Sequence, residues 1–165
     1  MDLKEAFRLA IKGEIEGREL YSLAAEKTDD EKAKEVFGYL AREEDSHLEA
    51  LKILYRSLVD GEEMVPPVLP RLVDFKDAGA PIFSDTFKER LTGKHFEMSV
   101  LSIGLKLEKE SFEFYEKTAR ELGEGGTGDF FRTLAEWEKD HYDALYREMT
   151  LLEEDFFTEN DFAPF

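Results

Sequence analysis

The stretch REEDSH, residues 42–47, decides how this chain is read. Glu44 and His47 stand three apart inside a long amphipathic segment, and residues three apart in a helix share a face. That face is the apolar one: its stripe runs Phe37, Leu40, Glu44, His47, Leu51, Leu54, Leu58. A carboxylate on an inward face is costly unless it is paired or bound to metal. Glu43 is expected at the surface, and Asp45 and Ser46 are spacers that helical phase takes off the stripe.

The same pattern returns 94 residues later. Glu44 lands on Glu138 and His47 on His141, within EKDH at 138–141. Under one ungapped shift Glu14 also lands on Glu108, Tyr21 on Tyr115, Phe37 on Phe131, Leu40 on Leu134, and Ala50-Leu51 on Ala144-Leu145. Each half therefore reads E-x6-Y, followed by E-x-x-H that begins 30 residues after the first glutamate. A single E-x-x-H in so acidic a chain means little, since charge runs are commonly solvated faces. Two matched copies in register point to a duplicated helical hairpin whose polar inward positions were duplicated with it.

Four amphipathic segments follow from the three- and four-residue spacing of apolar positions. The first covers about 2–28, with the stripe Leu3, Phe7, Ala10, Glu14, Gly17, Tyr21, Ala24, and Asp2 with Glu5 resembles a capping box. The second covers about 30–59. The third covers about 94–122, with Leu101, Gly104, Glu108, Ser111, Tyr115, Thr118 and Leu122. The fourth covers about 127–155, with Phe131, Leu134, Glu138, His141, Leu145 and Leu152, Glu148 breaking the pattern and Thr127 as N-cap. TDD and GEGGTG are the short hairpin links, which make antiparallel neighbours. The expected organisation is one domain, 1–165: hairpin 2–59, connection 60–93, hairpin 94–155 and aromatic tail 156–165. VPPVLP and DAGAP exclude a continuous helix in the connection. DTFKERL is expected to form one or two helical turns, and a connection this long suits a crossover running the length of a bundle.

Composition narrows the function. Thirty-nine acids against 22 bases give a net charge of −17, which disfavours nucleic acid and anionic membranes as partners. The absence of cysteine excludes disulfides, zinc ribbons, iron–sulfur clusters and thiol catalysis. No stretch approaches the ~20 apolar residues of a membrane span and the N-terminus lacks a signal-peptide pattern, so the expected location is cytoplasmic.

In a four-helix bundle Glu14, Glu44, His47, Glu108, Glu138 and His141 can converge at mid-height. One Glu from each of two helices plus Glu-x-x-His from each of the other two is the di-iron or di-manganese carboxylate arrangement. Four carboxylates balance two divalent cations. Hard oxygen donors with imidazole suit iron or manganese, and zinc also accepts them. Tyr21 and Tyr115 lie two turns from Glu14 and Glu108 on the same faces and are expected to donate to ligand carboxylates. The acids Glu16, Glu19, Glu49, Glu110 and Glu113 are expected at the surface, and Trp137, Phe112, Phe114 and Tyr142 as packing or interface residues.

These motifs, EIEGREL with Tyr21, EDSH, EKESFEF with Tyr115, and EKDH, resemble the ferritin-like superfamily and within it the rubrerythrin-like di-iron proteins. The resemblance implies an all-α, ferritin-like four-helix bundle of two duplicated hairpins joined by a long crossover. It implies that Glu44 and Glu138 bridge two iron ions, with Glu14 and His47 completing one and Glu108 and His141 the other. It also implies an oxidoreductase of peroxidase or ferroxidase type acting on peroxide, O2 or Fe2+ in defence against oxidative stress. Iron storage or metal delivery is the alternative. Two departures stand out. Rubrerythrins proper carry a cysteine-ligated rubredoxin domain; with no cysteine here, the electron donor is expected to be a separate protein. They also carry a further glutamate three residues after the third-helix ligand, where this chain has Ser111, so the site reads as symmetric and closer to the bacterioferritin type. A homodimer is expected, with hairpins either closed within one chain or exchanged between two.

Overall fold

The computed structural model describes residues 2–69, 82–84 and 95–159. Four helices follow one another: α1 (Leu3–Lys27), α2 (Glu31–Asp60), α3 (His95–Leu122) and α4 (Gly126–Glu159). α1 packs chiefly on α2 and α3 on α4, while α1 also lies against α3. The two sequence-derived hairpins form one ferritin-like four-helix bundle.

Two apolar plugs set the direction of every helix. One gathers Tyr21 and Ala24 of α1, Phe37 and Leu40 of α2, Leu101 of α3, and Leu145 and Leu152 of α4. The other gathers Phe7 and Ala10, then Leu51 and Leu54, then Tyr115 and Ala119, then Phe131 and Leu134. α1 and α4 run from the second plug to the first, and α2 and α3 from the first to the second. Since α2 ends where α4 begins, the chain must return the full length of the bundle before α3 starts. The 30 residues of α2 span about 45 Å, which an extended chain crosses in about 14 residues, so the connection has length to spare. It leaves α2 at the second plug, where Met64 and Leu69 pack, and reaches the first plug at Ile82 and Phe83.

That crossover is fixed to the bundle by polar contacts. The backbone N–H of Ile82 donates to Glu148 Oε2 at 2.9 Å and that of Phe83 to Glu148 Oε1 at 3.2 Å. Glu148, which interrupts the apolar stripe of α4, is thus the acceptor for two backbone donors of the connection. Next to it, Ser84 donates to Asp30 through its hydroxyl and, at 3.4 Å, through its N–H. Asp30 also caps α2 by accepting from Ala33 N–H at 2.8 Å.

The ends of the helices depart from expectation in small ways. Asp2 is the N-cap of α1, but its side chain makes no capping bond; only its carbonyl is used, by Ala6 N–H. α4 starts at Gly126, with the Gly125 carbonyl accepting from Asp129 N–H at 2.8 Å, so Thr127 lies inside the helix instead of capping it. Gly125 adopts a φ of 133°, which a side chain would resist. α4 continues to Glu159, four residues past the expected end and into the expected tail. DTFKERL and the last six residues lie outside the described residues. Among the described residues no helix is long and apolar enough to cross a membrane.

Candidate metal centre

Between the two plugs lies a polar layer. Glu14 comes from α1, Glu44 and His47 from α2, Glu108 from α3, and Glu138 and His141 from α4. All six are at most 4 % exposed, in company with fully buried tyrosines. The structure brings together every one of the six residues expected from the sequence. Their donor atoms form two overlapping sets: Glu14, Glu44, His47 and Glu138 in one, and Glu44, Glu108, Glu138 and His141 in the other, the atoms of each lying within 4.8 Å of one another. Glu44 and Glu138 belong to both sets. The two imidazoles face each other across the layer with ring centroids 6.1 Å apart and planes 16° from parallel.

The two tyrosines act crosswise. Tyr21 of α1 donates to Glu108 of α3, and Tyr115 of α3 donates to Glu14 of α1. Each phenol uses the Oε1 atom of its glutamate and leaves Oε2 turned toward a histidine. The glycines make room for this. A Cβ on Gly17 would stand 3.3 Å from Glu44 Oε2, and one on Gly104 would stand 3.1 Å from the Tyr21 hydroxyl and 3.0 Å from Leu145 Cδ1.

The fit of a cation is tested by what these atoms do without one. Glu14 Oε2, Glu44 Oε1, Glu138 Oε1 and both ring nitrogens of His47 make no hydrogen bond among the described residues. They are nevertheless crowded: His47 Nδ1 lies 2.9 Å from Glu138 Oε1 and 3.4 Å from Glu14 Oε2. His141 Nδ1 lies 3.3 Å from Glu44 Oε1, 3.6 Å from Glu138 Oε2 and 3.7 Å from Glu108 Oε2. Buried polar atoms that converge without well-aligned hydrogen bonds are expensive. A pair of divalent cations would satisfy them and cancel the four carboxylate charges.

The electrostatics of the metal-free cluster say the same. Burial, reinforced by Glu138, pushes the Glu108 carboxyl up to about 8. Glu44 is raised well above the carboxylate range by burial and by Glu138. Burial works to lower His47, but Glu138 and Glu14 outweigh it and hold the imidazole at about 10. Burial likewise opposes charge on Glu138, yet His141 and His47 keep it well below the ordinary value. Without metal the cluster holds protons in the space a cation would take.

One expectation is overturned. Glu43 is not at the surface: it is 1 % exposed, and His141 Nε2–H donates to its Oε2 at 2.7 Å. A bundle helix is covered by two neighbours, so its buried arc is wider than one stripe. Glu43, His47, Ala50 and Leu54 form a second buried row on α2 beside the first. That row is legible in the sequence at four- and three-residue steps, and it is the signal that would have found Glu43. The other acids assigned to the surface, Glu16, Glu19, Glu49, Glu110 and Glu113, are exposed. Trp137 packs at the site itself, its ring 5.4 Å from that of His47.

The rubrerythrin family model matches residues 5–149. The chain belongs to the rubrerythrin family. Within that family its buried Glu/His cluster is compatible with a di-iron carboxylate site. A solved structure of similar fold is a hypothetical protein from Pyrococcus furiosus, 29% identical, with a TM-score of 0.69, covering 93% of this chain and 92% of that one. No curated protein matches the chain.

Proposed function

We propose that Glu14, Glu44, His47 and Glu138 hold one metal ion and Glu44, Glu108, Glu138 and His141 a second, and that this chain is a non-haem di-iron oxidoreductase acting on peroxide or O2 with a separate electron donor. The observation that carries the reading is the pair of overlapping donor sets in a layer closed by apolar plugs. Two adjacent redox-active ions would supply two electrons together, so that a peroxide O–O bond breaks with uptake of two protons to give two waters; iron and manganese have this chemistry and zinc does not.

The chain's own residues do the rest. Tyr21 and Tyr115 orient the two unshared carboxylates, which limits their swing to the Oε2 side. The plugs keep bulk water from the donors, strengthening every charge interaction inside. A surface cleft of about 220 Å³ between α1 and α3 is lined by Gly13, Ser111 and Tyr115 among others, and Tyr115 in turn donates to Glu14. Its size suits a small oxidant, and the short Ser111 side chain leaves that space open.

The test is anaerobic loading with Fe2+, then rapid mixing with peroxide and with O2 while an external reductant is supplied. Many equivalents of oxidant consumed per chain support the proposal. Iron taken up and released with no oxidant consumed overturns it in favour of storage or delivery.

A further inference from the structure

We propose that the two metal positions are inequivalent, and that Glu43 is a positioning residue which makes the His141 position the tighter of the two, so that it fills first. The inference rests on the di-metal reading above. By donor type the two positions are identical: three carboxylates and one imidazole each, two of the carboxylates shared. Their unshared carboxylates are even held by equivalent tyrosines. Any difference must therefore come from outside the donor sets.

Such a difference exists. Glu43 accepts from His141 Nε2–H. Ninety-four residues on, at the equivalent place in the second hairpin, stands Trp137, whose ring is tilted 47° against that of His47. His47 Nε2 has no hydrogen-bond partner among the described residues. A carboxylate can only accept, so the proton of neutral His141 sits on Nε2 and the Nδ1 lone pair faces the cluster. A carboxylate on the far nitrogen also strengthens the ligating one and fixes the ring plane. His47 has no such acceptor on its far nitrogen, where the Trp137 ring packs instead. Glu43 further places a fifth carboxylate on the His141 side of the layer. Partners of this kind change metal affinity by about 10–100-fold, which sets the expected gap between the positions.

The experiment uses the full chain stripped of metal, with Co2+ as probe. Calorimetry is expected to resolve two steps separated by about 10–100-fold. Crystals grown with one equivalent of Co2+ per chain are expected to show stronger anomalous density beside His141 than beside His47. In Glu43→Gln the tight step should weaken toward the other while the total stays at two. If that variant does not fold, the wild-type crystal occupancies decide. Two cobalt ions of equal occupancy, or the His47 position filling first, overturn the inference and leave the di-metal reading standing. No cobalt at the cluster overturns both.

Discussion

Stripping the metal should make the stability of this chain fall steeply as pH rises from 6.5 to 8. In the folded, metal-free cluster His47 titrates at about 10 and Glu108 at about 8, against ordinary values of 6.5 and 4.5. Both are raised, so the stability each contributes is fully present below its ordinary value and is lost as pH climbs toward its folded value. Between pH 6.5 and 8 the folded chain keeps the His47 proton and gives up that of Glu108 only toward pH 8, while the unfolded chain has lost that of the glutamate and is losing that of the histidine. Each proton is worth about 1.4 kcal/mol per pH unit, so the two together cost about 3 kcal/mol across the window. Glu44 and His141 are shifted in the same direction. Glu138 is shifted the opposite way, but its window lies below 4.5 and does not enter. Urea denaturation of the stripped and the metal-loaded chain at pH 6.5, 7.2 and 8 measures this. The stripped chain should lose stability with pH, the loaded chain should not, and the gap should widen. A stripped chain as stable at pH 8 as at 6.5 would refute the reasoning that protons and metal compete for one buried space.

Tyr115→Phe should destabilise the metal-free chain by about 1–3 kcal/mol in the same assay, because Glu14 Oε1 loses its buried donor. Gly104→Ala should cost about 1–3 kcal/mol, because the new methyl meets Leu145 and the Tyr21 hydroxyl, and it should weaken binding beside Glu108. Glu148→Ala removes the acceptor of two backbone N–H groups; it should cost about 2–4 kcal/mol and speed proteolysis within the crossover, seen as earlier cleavage between residues 61 and 94.

The fold was legible because its duplication preserved polar residues at inward positions. The 94-residue shift and the spacing of Glu44 and His47 identified two hairpins, and short hairpin links left the long connection as the only route between them. The route of the crossover was not legible in detail. Its anchor is Glu148, a residue that looks like a fault in the stripe of α4 until two backbone donors from the connection are placed against it. The inner donors were legible for the same reason as the fold, whereas the crosswise pairing of Tyr21 with Glu108 and Tyr115 with Glu14 needed the helix packing. Glu43 was missed because a single stripe underestimates the arc a bundle helix buries. With it was missed a break in the symmetry of the repeat beside the donors, since Glu43 and Trp137 occupy the same place in the two halves and share no chemistry.

If these six side chains hold two metal ions, the metal content per chain must be two. Purified protein stripped of metal, reloaded anaerobically with Fe2+ and freed of excess metal by gel filtration, should carry two iron atoms per chain by elemental analysis. The paired variant Glu44→Ala with Glu138→Ala, which removes both shared carboxylates, should carry none while keeping the helical signal of the bundle. A wild-type chain that retains no iron, or a paired variant that retains as much as the wild type, would contradict the account.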